Sequence, residues 1–141
     1  MTRTTVAALA TAVGLTGCGG GGDDDDGGGG SLADAVEIEL AEQNSSGITG
    51  IAMLAPKGEM TNIVVEMIQP FDIDPQPMHV HKGTCEDLDP EPAFALPNLE
   101  DGIGGGDIDI PLDELREGGY VINVHKSVQE PDVYVACGEI T

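Results

Sequence analysis

Tryptophan is absent from the 141 residues, and the four Tyr and Phe side chains are only 3% of the chain. Any core must therefore be aliphatic. Cations are almost as scarce: 5 Lys and Arg stand against 26 Asp and Glu, for a formal net charge of −21. Phosphate binding needs a basic face, so nucleic acid is excluded as a partner. An anionic lipid surface is disfavoured for the same reason. No apolar run reaches the roughly 20 residues that a helix needs to cross a bilayer. No internal repeat is present. Glycine is plentiful at 21 residues, but much of it sits in one tract and reports a linker, not a collagen-like fold. The length allows one domain of ordinary size. An acidic excess of this kind is compatible with a high-salt habitat, where repulsion is screened.

What is present begins with an address. Arg3 precedes Val6–Leu15, an apolar stretch of small residues (VAALATAVGL). It is too short to span a hydrocarbon core of roughly 30 Å but fits the apolar segment of a secretory signal. The segment ends Leu15-Thr16-Gly17-Cys18, which resembles the lipobox of bacterial-type lipoproteins. That resemblance implies cleavage before Cys18 and acylation of its thiol. It implies export and anchorage to a membrane through Cys18, on the periplasmic or cell-surface side. Each buried CH₂ of an acyl chain contributes about 0.8 kcal/mol, so a multiply acylated cysteine is a stable anchor. Residues 1–17 are then a signal peptide, whose removal takes away Arg3 and no acid. Gly19–Ser31 (GGGGDDDDGGGGS) has no apolar residue to bury and is expected to be a disordered tether, with Asp23–Asp26 a solvated spacer. Residues 18–31 form the lipidated cysteine and linker, and residues 32–141 one folded domain.

The patterning of that domain is β. Val36, Ile38 and Leu40 alternate with Glu37 and Glu39. Ile48–Ala55 follows an Asn-Ser-Ser-Gly turn signal and is closed by Pro56-Lys57-Gly58. Thr61–Gln69, Met78–His81, Asp107–Ile110, Tyr120–Ser127 and Val133–Ile140 read as further strands, and only Leu112–Glu117 reads as helical. About seven to eight short strands separated by Gly, Pro and Asp turns predict an all-β sandwich or closed barrel. Gly83–Gly106 has no clear period and reads as a long loop, which in a compact domain is usually functional or pinned.

The chain has three Cys and three His. With Cys18 lipidated, Cys85 and Cys137 remain. In an oxidising compartment the simplest outcome is one disulfide, constraining the unfolded chain by about 4 kcal/mol in the chain-entropy model. A pair of cysteine metal ligands is the alternative. His79 and His81 lie two apart, so a strand would put both imidazoles on one face, a natural pair for a metal. His125 shares a face with Val121 and Asn123 if its run is a strand. Both faces of that run carry apolar residues, so the pattern does not say whether His125 meets the other two. Three surface or internally satisfied histidines are the bland alternative. Neutral imidazoles suit copper or zinc and not calcium or magnesium. The acids Glu86, Asp87, Asp89 and Glu91 read as a solvated face, with one carboxylate ligand among them as the alternative.

Four pieces occur in an order that resembles the Cu/Zn superoxide dismutase-like fold and the related chordin-type (CHRD) domains. They are Gly47–Ala52, His79–Cys85, Gly119–His125 and Tyr134–Ile140. The resemblance covers about residues 36–141 and implies a Greek-key β-barrel. It implies copper ligation by His79, His81 and His125, with zinc as the alternative, and a Cys85–Cys137 disulfide. It also departs from the family. Gly83–Gly106 contains no His, so the bridging ligand and the usual zinc site are missing. Tyr134 stands where the family's catalytic Arg would lie, and 11 residues separate His125 from Cys137. Superoxide capture depends on a positive path to the metal, which this acidic chain lacks. The expectation is a metal-binding domain with a degenerate dismutase-like site, little or no dismutase activity, and a copper-handling or surface protein as possible partner. A CHRD-type interaction module without metal and a copper-only dismutase are the competing readings.

Overall fold

The computed structural model describes residues 32–68 and 75–141. The expected signal segment, Cys18 and the expected linker lie outside the described residues. After a short 3-10 turn at Leu32–Asp34 come β1 (Val36–Glu42), β2 (Gly50–Lys57), β3 (Met60–Met67), β4 (Gln76–Lys82), β5 (Phe94–Leu99) and β6 (Ile103–Ile108). A short helix, α1 (Leu112–Glu117), precedes β7 (Tyr120–His125) and β8 (Tyr134–Ile140). The eight strands form one antiparallel sheet in the order β5-β4-β7-β8-β1-β2-β3-β6. The two end strands are consecutive in the chain and meet through a tight turn at Glu100 and Ile103, so the sheet curls into a nearly closed barrel. β3 connects to β4 and β6 to β7 by crossing over intervening strands, the Greek-key signature.

Alternation decides what fills the barrel. Ile38 and Leu40 point in while Glu37 and Glu39 point out, and Ala52, Leu54, Ile63, Val65, Met78, Val80, Ile122 and Val124 continue the interior. Leu112 and Leu115 of α1 join the same core. Each large aliphatic side chain so buried contributes about 1.5–3 kcal/mol. The core is aliphatic, with Phe94 and Tyr120 only packed against it.

The expected loop over Gly83–Gly106 is instead a shorter loop followed by β5 and most of β6. Pro97 and Gly104–Gly106, residues that normally argue against a strand, sit where the barrel closes. A Cβ on Gly104 would lie 2.9 Å from the Asn98 carbonyl oxygen, and one on Gly106 2.9 Å from Pro97 Cδ. Only a strand without side chains there lets β6 come this close to β5. Pro97 is tolerated because β5 is the end strand.

Candidate metal centre

The outer face of β4 and β7 is the unusual one. β7 buries its outward-facing residues as well as its inward-facing ones, and β4 buries His81 on that face and half-buries His79, because two loops fold over them. The loop after β4 is tied back by hydrogen bonds from Asp89 N to the Lys82 carbonyl (2.7 Å) and from Ala93 N to the Val80 carbonyl (2.8 Å). The loop after β7 is closed by Lys126 N to the Val133 carbonyl (2.8 Å) and by a turn from Ser127 to Glu130. Beneath these loops lie Val121, Asn123 and His125 of β7 and His81 of β4.

The period of two puts His79 and His81 on the same outer face, as expected. The topology then brings His125 to them: β7 is the neighbour of β4, with His79 opposite Asn123 and His81 opposite Val121. The register between β7 and β8 slips by one residue at His125, with Val135 as the extra residue, and such bulges re-aim side chains. One ligand nitrogen from each of the three histidines lies within 4.8 Å of the others. The Tyr134 ring packs on His125 in a T-shaped arrangement, centroids 5.1 Å apart.

The loops also fix which ring nitrogens are free. His81 Nδ1 lies 2.7 Å from the Asp89 carbonyl oxygen, and His125 Nδ1 contacts the Pro131 carbonyl oxygen. A carbonyl can only accept, so in both rings Nδ1 carries the proton and donates, leaving Nε2 as a lone pair. His81 is 1% exposed and His125 5% exposed. The Nε2 of His81 is buried and has no hydrogen-bond partner. A buried acceptor left unpaired costs about 1–3 kcal/mol, and a ligand held there would satisfy it. Nδ1 of the half-buried His79 stands 2.9 Å from Nε2 of His125. Three nitrogens therefore converge, two of them with lone pairs aimed by the carbonyls that hold the opposite ring nitrogen, which is how metal-binding histidines are oriented. This donor set fits a metal ion.

Burial lowers the pKa of His79, helped by the neighbouring His125 and His81 rings. Burial likewise lowers that of His125, against an opposing pull from its Pro131 hydrogen bond and Asp132. Both shifts favour the neutral imidazoles that ligate metals.

Cys85 and Cys137 form a disulfide with Cα atoms 5.8 Å apart. It ties the start of the loop after β4 to β8, and Gln43 Nε2 donates to the Cys85 carbonyl beside it (2.7 Å). The alternative of two cysteine metal ligands is thereby overturned. The acids of this loop do not join the histidines: among the described residues His79, His81 and His125 are the only cluster of three or more ligand side chains. Asp89 serves the site through its backbone, while its carboxylate accepts from Glu91 N (3.0 Å). The two anchoring carbonyls, of Asp89 and Pro131, had no signal in the sequence, because any residue type supplies a carbonyl.

The four cations of the described residues are all engaged elsewhere. Lys57 pairs with Asp107 and Lys126 with Glu130, Lys82 lies over the Tyr120 ring, and Arg116 donates to the Thr141 oxygen. No family model matches the chain, and no curated protein matches it; its distinguishing features are the β-barrel, the disulfide and the three convergent histidines.

Proposed function

We propose that this chain is an exported, membrane-tethered copper-binding domain of the superoxide dismutase-like type, with little or no dismutase activity. One observation carries the reading: the lone pair of His81 Nε2 is buried, unpaired, and grouped with nitrogens of His79 and His125. Three imidazoles without a carboxylate suit copper or zinc. Three protein ligands leave a trigonal site, suited to Cu(I), or an open fourth position. Anion capture is poorly served, since each described cation is occupied and Tyr134 contributes a neutral ring beside His125. Anchorage through an acylated Cys18 rests on the Leu15–Cys18 motif and the Gly/Asp linker that follows it.

The test is a Cu(I) titration of the full chain, disulfide intact, against a competing chelator, with a parallel Zn(II) titration. One equivalent of copper held in the parent and lost in His81→Ala is the expected result. Binding of zinc alone would change the metal, and no binding of either above the chelator would leave a domain whose histidines are remnants.

A further inference from the structure

The three histidines are not held alike. His81 and His125 are each fixed at Nδ1 by a backbone carbonyl, of Asp89 and Pro131, and both rings are buried. His125 is further packed against the Tyr134 ring. His79 is only half-buried, and the one hydrogen bond its ring makes is the 2.9 Å contact with His125. Because Nε2 of His125 is a lone pair, His79 Nδ1 must carry the proton of that contact. In the metal-free protein His79 is thus closed onto the very nitrogen that a metal would use.

The dimensions require one ring to move. Copper or zinc binds imidazole nitrogen at about 2.0–2.1 Å, so two ligands of one ion are at most about 4.2 Å apart. Three ligands around one ion stand about 3.3–3.6 Å from each other at the same bond length, in tetrahedral or trigonal geometry. The contact at 2.9 Å is too short for that, and separations of up to 4.8 Å are too long. With His81 and His125 tied by their loops, the ring free to open is His79.

We propose that His79 is the exchange ligand of this site. This rests on the copper reading above and adds how the metal enters and leaves. Arriving copper is taken by the anchored pair, His81 and His125. His79 swings off His125, sheds its Nδ1 proton to water while gaining one from water at Nε2, and closes the third bond. Release runs the other way. An incoming nitrogen or sulfur donor bonds the copper as the His79 bond breaks, and further donor atoms replace His125 and His81. His79 Nδ1 then takes back a proton while Nε2 gives one up to water, and the neutral ring closes on His125. No electron is transferred. The acceptor class is a molecule that presents nitrogen or sulfur ligands to the half-exposed His79 side.

The experiment loads the full chain, in detergent, with one equivalent of Cu(I) and follows transfer to bicinchoninate by stopped-flow absorbance. The parent is compared with His79→Ala, His81→Asn and His125→Asn, and the metal-free circular dichroism of each variant confirms the fold. In the parent the transfer rate should rise in proportion to chelator. His79→Ala should still take up one equivalent and lose it at least tenfold faster. His81→Asn and His125→Asn should not hold one equivalent. If His79→Ala loses binding as completely as the other two, or transfers at the parental rate, the assignment of His79 is overturned while the copper reading stands. If the parent takes up no copper, both are overturned.

Discussion

Replacing His81 by Asn separates its two roles. The amide nitrogen of Asn sits close to where His Nδ1 lies, so the bond to the Asp89 carbonyl is retained while the ligand nitrogen is removed. In the metal-free protein the opposing effects are of similar size. Removing the buried, unpaired Nε2 relieves about 1–3 kcal/mol. Burying an unpaired amide oxygen and losing part of the ring volume return a similar amount. The metal-free melting temperature should therefore move by no more than about 5 °C, at roughly 4 °C per kcal/mol for a domain of this size. With copper the two proteins should diverge. Free metal at about a thousand times Kd stabilises the native state by about 4.1 kcal/mol, which is about 16 °C in the parent. If losing one of three ligands weakens binding at least a hundredfold, about 2.7 kcal/mol of that stabilisation goes, and no more than about 6 °C of the rise remains. Since the chain has no Trp, the assay is far-ultraviolet circular dichroism during heating, under anaerobic conditions with and without Cu(I). A variant that keeps the full parental rise would refute the assignment of His81 as a ligand, and a parent that does not respond would refute the site.

Two further expectations concern pH and location. Because burial holds His79 and His125 below their ordinary pKa of 6.5, the unfolded chain binds protons that the folded one refuses. The contribution of these two histidines to the stability of the metal-free domain should thus be fully present above pH 6.5 and be lost as pH drops from there toward the depressed folded values. Urea midpoints at pH 7.5 and 5.5 should show the fall, and a His79→Gln/His125→Gln variant should flatten it; equal slopes in the two proteins would contradict the cause given. Cys18→Ser should shift the protein from the membrane pellet to the soluble fraction of an expressing bacterium, and identical fractionation of parent and variant would remove the lipid anchor.

Much of the barrel was legible because alternation in an antiparallel sheet records which face is buried. β1, β2, β3 and β8 lie close to where the pattern of Val36–Leu40, Ile48–Ala55, Thr61–Gln69 and Val133–Ile140 put them, and α1 matches Leu112–Glu117. β5 and much of β6 were hidden for a definite reason. Pro97 and Gly104–Gly106 break strands in general, and they are used here because β5 is an end strand paired on one side only, with Pro97 at an irregularity of its β4 ladder, and because β6 must approach it without side chains.

The histidine site divides in the same way. Two imidazoles on one face follow from the spacing of His79 and His81, since successive strand residues face opposite sides wherever the strand lies. That His125 joins them was a matter of tertiary structure. It depends on β7 lying beside β4, across a Greek-key crossover that no local pattern encodes, and on the register slip at His125. The choice of free nitrogen in His81 and His125 was also settled there, by the carbonyls of Asp89 and Pro131. Backbone carbonyls are common to all residues, so only the path of the two loops decides where they point.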